Sequence, residues 1–242
     1  MIESRGAPVA VSVVAPVYRN AETLAPLYER LVRALAPLSH DFELVFVDDC
    51  CPAGSPDVLR VLAARDPRVQ VLTLPQNGGQ HRAVMEGLAV ARGSAVVVMD
   101  ADLQDPPEAI PMLLAALEHQ DVRAVFAGRR GRYESAGRLA TSRVFKRALR
   151  TMTGLPVDAG MFVALDRRLV DTVLAMPVRR PFLVAMIGCA NVAVAWIPVE
   201  RDSRAIGRSG FSSWKRLTTG LSALHLVARH KFAPAPWAKG RA

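Results

Sequence analysis

Cysteine is scarce: Cys50, Cys51 and Cys189 are the only three in 242 residues. Three thiols at these positions make no disulfide framework and have no metal-ligand spacing, so a reducing compartment is expected. Glycine-rich phosphate cradles are missing as well. No GxGxxG follows the first apolar run and no GxxxxGK[ST] occurs anywhere, which excludes the dinucleotide and P-loop solutions to phosphate binding. The opening MIESRGAP has no apolar signal core. Long apolar runs are confined to Leu183–Val199, about seventeen residues, interrupted by Gly188 and Asn191 with Pro198 near the end. That is the lower edge of a spanning length. A buried helix ending near Gly188 and a core strand over Val192–Val199 account for it better. A soluble or peripheral protein is expected, cytoplasmic and at most on the inner membrane face.

What is present is apolar and basic. Hydrophobic residues make up 51% with 22% charged, a balance that belongs to a folded α/β protein and not to a disordered one. The length suits one large domain, or a domain with an appendage. The net charge of +9 is uneven: acidic residues gather in the first half, and arginine dominates from Arg123 onward. Such a field calls for an anionic partner, whether nucleic acid, phosphorylated substrate or acidic membrane face.

Strand and helix patterns alternate through the first hundred residues. Val9–Pro16 reads as a buried strand, and Glu22–Leu38 has apolar residues at helical spacing (Leu24, Leu27, Leu31, Leu35). Phe42–Val47 is a second strand, Asp57–Ala64 a short helix and Val69–Leu74 a third strand. The loop Asn77–Gln80, a helix over Ala83–Ala91 and a strand over Val96–Met99 follow. This is the signature of a mostly parallel sheet covered by helices on both faces. Ligands in such sheets bind at the carboxyl ends of the strands. Pro16 and Tyr18, Asp48 and Asp49, Asn77–Gln80 and Asp100–Gln104 all fall there. His81 reads as a polar residue at a helix start.

The stretch VVVMDADLQDPPE (Val96–Glu108) is the most informative. A buried strand runs out into Asp100, Asp102 and Gln104, and Asp105-Pro106-Pro107-Glu108 turns the chain into a helix. Hard oxygen donors on alternate residues suit Mg²⁺ or Mn²⁺ that keeps waters and completes its shell with substrate phosphates. An aspartate after the second strand can accept from a base N–H, and Tyr18 offers a ring for stacking. Together these describe a site for a nucleoside diphosphate with its metal.

The segments APVYRNAET, FVDD, NGGQHRAVMEGLAVARGS and DADLQDPPE resemble the nucleotide-sugar half of the family-2 inverting glycosyltransferases of GT-A fold. The later TGLPVDAGMFVALDRRLVD and PVERDSRAIGRSGFS resemble the polyprenyl-phosphate branch of that family, the dolichol-phosphate mannose synthases and undecaprenyl-phosphate aminoarabinose transferases. The resemblance implies a GT-A catalytic domain over 1–210, divided into a nucleotide-sugar half (9–108) and an acceptor half (109–210). It implies that Pro16, Tyr18, Glu22, Asp49 and Gln80 line the donor pocket. Asp100 would lie close to sugar and diphosphate, and Asp102 and Gln104 would hold Mg²⁺ or Mn²⁺. Arg129 or Arg130, Arg138, Arg201 and Arg204 would face phosphates, with Ser209 in a closing loop. Asp158 corresponds to an acidic residue near the acceptor site, and Cys50-Cys51 replaces a usual Gly-Ser pair and reads as packing.

The expected reaction is transfer from a nucleoside-diphosphate sugar, UDP-linked by resemblance, to a polyprenyl phosphate. That acceptor is already anionic at neutral pH and needs no general base. The alternative acceptor is a small hydroxylated molecule, for which Asp158 would serve as base. Residues 211–242 read as an amphipathic helix and loose tail, with Phe211, Trp214, Leu217, Leu221, Leu224 and Ala228 forming an apolar stripe beside Lys215, Arg216, Arg229 and Lys231. Such a helix either lies on a membrane surface or packs on the catalytic domain or a second copy of the chain. Nucleic acid is not an expected partner, since it leaves the polar stations of the sheet rim unexplained.

Overall fold

The computed structural model describes residues 9–38, 41–130, 147–156, 158–202 and 222–229, with only the backbone described at Arg129 and Arg130. Arg138, Arg204, Ser209 and the stretch from Phe211 to Leu221 lie outside the described residues.

In chain order the elements begin β1 (Val11–Val17), α1 (Ala21–Leu35), β2 (Phe42–Asp48), α2 (Ser55–Arg65), β3 (Val69–Thr73), α3 (Gln80–Val90) and β4 (Ala95–Val98). After a short 3₁₀ turn at Pro107–Ala109 come α4 (Ile110–His119), β5 (Ala124–Arg130) and helical residues 147–153, here α5. The chain continues through β6 (Val163–Asp166), α6 (Arg167–Leu174), α7 (Leu183–Cys189), β7 (Val194–Glu200) and helical residues 222–229, here α8.

The strands form one seven-stranded sheet in the order β3-β2-β1-β4-β6-β5-β7. β1 pairs parallel with β2 and with β4, β2 with β3, and β5 with β7, while β6 runs antiparallel to both β4 and β5. All strands except β6 therefore end on the same rim, and β6 starts there. The mostly parallel α/β sheet expected from the alternating pattern is the fold observed.

Period-two burial builds the two layers. Val11, Val13, Ala15 and Val17 of β1 pack with Leu24, Leu27 and Leu31 of α1, Leu59 of α2 and Leu113 of α4 on one face. Val14 faces the other side, in the layer that also holds Val84 and Leu88 of α3, Val173 of α6, Val184 and Ile187 of α7 and Leu226 of α8. Each fully buried valine, leucine or isoleucine among them stabilises the fold by about 1.5–3 kcal/mol. Gly87 lets α3 lie close on the sheet, since a Cβ there would meet Val14 Cγ1 at 2.5 Å and Val47 Cγ2 at 2.8 Å. That close packing fixes where the first turn of α3 arrives.

A buried polar cluster sits at the opposite, amino-terminal end of the sheet. The Glu43 carboxylate accepts from Ser12 Oγ at 2.6 Å, Gln70 Nε2 at 2.7 Å, Arg92 N at 2.6 Å and Arg92 Nε at 2.7 Å. A fully paired buried carboxylate is tolerated where a lone one is not.

Some boundaries differ from those read in the sequence. Gln80 is the first residue of α3 and not part of the preceding loop, because Gly79 takes a left-handed φ of +83° and turns the chain directly into the helix. The Leu183–Val199 run is the helix α7 and the strand β7, which is not the expected core strand but a largely half-exposed one, because it lies at the sheet edge with a neighbour on one side only. Among the described residues no helix is long and apolar enough to cross a membrane. In α8 the buried side chains are Ala223, Leu226 and Val227, whereas Leu224 and Ala228 of the counted stripe are half-buried. The described part of that helix packs on the α3/α6/α7 layer.

Candidate active site

The rim is assembled from loops that hydrogen-bond one another. After β1, Tyr18 is 42% exposed and the Arg19 guanidinium lies 5.5 Å from its ring centroid. Asn20 ties three segments together. Its Oδ1 accepts from Tyr18 N (3.0 Å), its backbone N donates to Ser55 Oγ (3.1 Å) and its Nδ2 donates to the Ala101 carbonyl (3.4 Å). Thr23 Oγ1 donates to that same carbonyl at 2.6 Å. Pro16 is half-buried in β1 opposite Val47, and Glu22 is exposed in the first turn of α1.

After β2, Asp48 Oδ1 accepts from Cys51 N at 3.0 Å. Asp49 is buried, and its two carboxylate oxygens accept from Gly78 N (2.6 Å) and Gly79 N (2.8 Å). Asp49 thus fixes the glycine loop that leads into α3, and each oxygen has a lone pair left over.

The loop after β4 carries the acidic residues. Asp100 Oδ1 accepts from Gln80 Nε2, which joins α3 to the loop. Asp102 Oδ1 accepts from Gln104 N at 3.1 Å, a local turn centred on Leu103, whose φ of +62° is left-handed. A non-glycine residue held there costs on the order of 1 kcal/mol and persists only where its surroundings enforce it. Enforcement comes from Asp105 and Arg201. Asp105 is buried and its Oδ1 accepts from Arg201 Nε at 2.7 Å and pairs with Nη2 at 2.6 Å. The same guanidinium reaches Gln104 Oε1 (3.4 Å) and lies 3.8 Å from Asp100 Oδ2. Asp202 N donates to the Gln104 carbonyl at 3.1 Å, and Arg30 bridges Glu108 (2.6 Å) and Asp202 (2.8 Å). The Arg30 hydrogen bonds hold the Glu108 carboxyl below its ordinary value against the opposing effect of burial.

Arg201, expected to face phosphate, stands just after β7 with its guanidinium clasping the acidic loop. The sequence marks Asp105 as a turn residue only, and assigns Asn20 and Thr23 no part. The burial that singles out Asp105 is a tertiary property with no local pattern. Arg129 and Arg130 end β5 beside Val199 and Glu200 on the same rim. Asp158 is half-buried just ahead of β6, the strand that starts at this rim. His81 opens α3 with Gln80, but its ring is tucked against Phe182 with centroids 4.6 Å apart. Burial pushes it down to about 4, and Nδ1 is buried without a hydrogen-bond partner among the described residues.

The donor set suits a hard divalent cation. Asp102 and Gln104 supply oxygen only, and among the described residues no group of three or more His, Cys, Asp and Glu makes a closed cage. A cation held there would depend on phosphate oxygens and water for the rest of its shell, as Mg²⁺ and Mn²⁺ readily do.

Residues 12–174 match the model of glycosyl transferase family 2. The chain is 32% identical over 223 residues to YkcC of Bacillus subtilis, an uncharacterized glycosyltransferase, covering 89% of this chain and 68% of that one. It is 37% identical over 206 residues to the undecaprenyl-phosphate 4-deoxy-4-formamido-L-arabinose transferase of Pseudomonas fluorescens, covering 84% of this chain but spanning only 60% of that protein. In fold it is similar to a mannosyltransferase of Pyrobaculum calidifontis in complex with GDP-Man and Mn²⁺, with TM-score 0.66, 21% identity, and 97% and 73% of the two chains covered. Glucosyl-3-phosphoglycerate synthase of Mycobacterium tuberculosis, in complex with Mn²⁺, UDP and glucosyl-3-phosphoglycerate, matches with TM-score 0.64, 21% identity, and 90% and 80% covered. The likeness to both establishes the GT-A fold.

Proposed function

This chain belongs to glycosyl transferase family 2, and we propose that it transfers a sugar, with inversion, from a uridine-diphosphate donor to a polyprenyl phosphate at a membrane surface. The observation that carries the reading is the Asp100–Asp105 loop, clasped by Arg201 on the rim that also presents Tyr18 and Asp49. The lipid acceptor is favoured by the arabinose transferase relatives, and the metal and nucleotide by the compounds bound in the solved relatives.

Tyr18 stacks on the base, and Asp49 accepts a base N–H with a lone pair its glycine contacts leave over. Pro16 and Glu22 border the nucleoside. Gln80 and Asp100 meet the sugar and diphosphate, and Asp102 and Gln104 hold Mg²⁺ or Mn²⁺. A bound divalent cation supplies charge neutralisation for the departing diphosphate. An acceptor phosphate oxygen, anionic above its second pKa of about 6, attacks the anomeric carbon opposite the breaking C–O bond. Because no proton has to leave the nucleophile, alignment by guanidinium groups is the protein's main task. Arg129, Arg130, Arg138 and Arg204 fill that role with Ser209. Arg201 acts through the loop it clasps, as a positioning residue.

Thermal melts in the presence of UDP and Mn²⁺ test the donor half. At a hundredfold excess over Kd, binding stabilises by about 2.7 kcal/mol, which at this size raises Tm by roughly 5–10 °C. Asp102→Ala is expected to abolish the gain, and an unchanged response would place the metal elsewhere. For the acceptor half, UDP-sugars are assayed against undecaprenyl phosphate and against hydroxylated small molecules. Asp158→Asn leaves lipid-phosphate transfer within a few-fold of the parent, whereas transfer to the hydroxylated acceptors alone, falling about 10²–10⁴-fold in Asp158→Asn, would identify Asp158 as a base and the acceptor as a hydroxyl.

A further inference from the structure

Two adjacent thiols stand where the nucleotide loops meet. Cys50 is exposed and holds a left-handed φ of +53°, while Cys51 is buried. The turn matters, because in an extended strand successive side chains would point to opposite faces. Cys51 Sγ is a junction between the two loops. It accepts from Arg19 N at 3.1 Å and lies 3.4 Å from Ser55 Oγ and 3.5 Å from the Ala53 carbonyl. Ser55 Oγ in turn receives Asn20 N, and Cys51 N is anchored on Asp48. Tyr18 precedes Arg19 directly and Asp49 precedes Cys50 directly. The sulfur therefore sets how the stacking ring and the base-accepting carboxylate sit relative to each other.

We propose that Cys50 and Cys51 form a redox site, closed to a disulfide by a hydroperoxide, whose closure releases the Tyr18 and Asp49 loops and weakens nucleotide binding. The nucleotide half of this statement rests on the function proposed above. In the first step the exposed Cys50 sulfur attacks the peroxide oxygen, the O–O bond breaks, and a sulfenic acid and one molecule of water or alcohol result. In the second, Cys51 sulfur attacks the sulfenic sulfur and water leaves with the thiol proton. The two thiols lose two electrons and two protons, and the peroxide takes them up.

Burial pushes the Cys51 thiol up, but hydrogen bonds led by Ser55 outweigh it and leave the thiol below its ordinary value, favouring the attacking thiolate. Cys189 is the internal contrast, pushed up to about 11 by burial. Adjacent α-carbons are about 3.8 Å apart, closer than an ordinary disulfide spans. The ring is therefore strained and easily reduced, as a reversible switch requires. Once closed it carries no S–H, and Cys51 Sγ is drawn toward Cys50 and away from the Arg19 N–H and Ser55.

Peroxide treatment of the full chain, followed by peptide mapping, is expected to give a Cys50–Cys51 disulfide that dithiothreitol reverses. Hydrogen–deuterium exchange should then rise at 18–20 and 50–55, and UDP affinity with Mn²⁺ present should fall about tenfold, or about 1.4 kcal/mol. Cys50→Ser should remove the peroxide response and Cys189→Ser should keep it. The proposal is overturned if no such disulfide forms, if exchange at both loops is unchanged when it does, or if Cys50→Ser responds like the parent. Should the reduced chain bind no nucleotide, the function proposed above fails, and the exchange measurement still decides whether the thiol pair controls the loops.

Discussion

Replacing Asp105 by asparagine keeps the side-chain volume and removes one charge from the clasp on the acidic loop. Asp105 and Arg201 have side chains 3% and 16% exposed, joined at 2.6 Å, so the pair is largely shielded from water. Breaking a buried pair from one side costs about 3–5 kcal/mol, most of it the unpaired partner. Asparagine retains one oxygen for Arg201 Nε, so we expect about 2–3 kcal/mol. For a chain of this size that lowers Tm by roughly 5–10 °C. The loss extends to function because the same guanidinium touches Gln104 and lies beside Asp100. UDP–Mn²⁺ affinity should fall even though Asp105 itself is buried. Calorimetric melts and titrations of Asp105→Asn, Arg201→Met and the double variant decide the matter. The double variant should be less damaged than the sum of the singles, with a coupling of about 2 kcal/mol. Strict additivity, or an Asp105→Asn chain with parental Tm and affinity, would refute the clasp.

Two further outcomes follow from buried groups away from the loop. Glu43→Ala strands the Ser12, Gln70 and Arg92 donors at the far end of the sheet, and urea unfolding should show a loss of about 3–5 kcal/mol. His81 has a folded value of about 4 against an ordinary 6.5. The unfolded chain therefore binds the proton more readily than the folded one. Its contribution is fully present above pH 6.5 and is lost as pH falls from 6.5 toward 4, up to about 3 kcal/mol. Stability measured across that window should fall less steeply in His81→Gln than in the parent. Equal slopes would mean that the imidazole is solvated in the folded chain.

Local patterns were enough to give the alternation of strands and helices, the mostly parallel sheet and the acidic stretch at the end of β4. Period-two and helical spacings report which face each residue buries, and strand ends report where polar residues can collect. They divided Leu183–Val199 into a helix and a strand, but read as a core strand what is the half-exposed edge strand β7. What they could not supply was partnership across distance. Asp105 looks like any turn aspartate until the end of β7, 96 residues away, brings Arg201 against it. Asn20 and Thr23 meet the Ala101 carbonyl, next to Asp100, only because β1 and β4 are adjacent in the sheet. His81 passes for a surface polar residue until α7 places Phe182 on its ring. In each case the energy comes from desolvation and pairing between segments remote in the chain. Side-chain identity alone fixes what a residue can donate or accept; strand order decides what it meets.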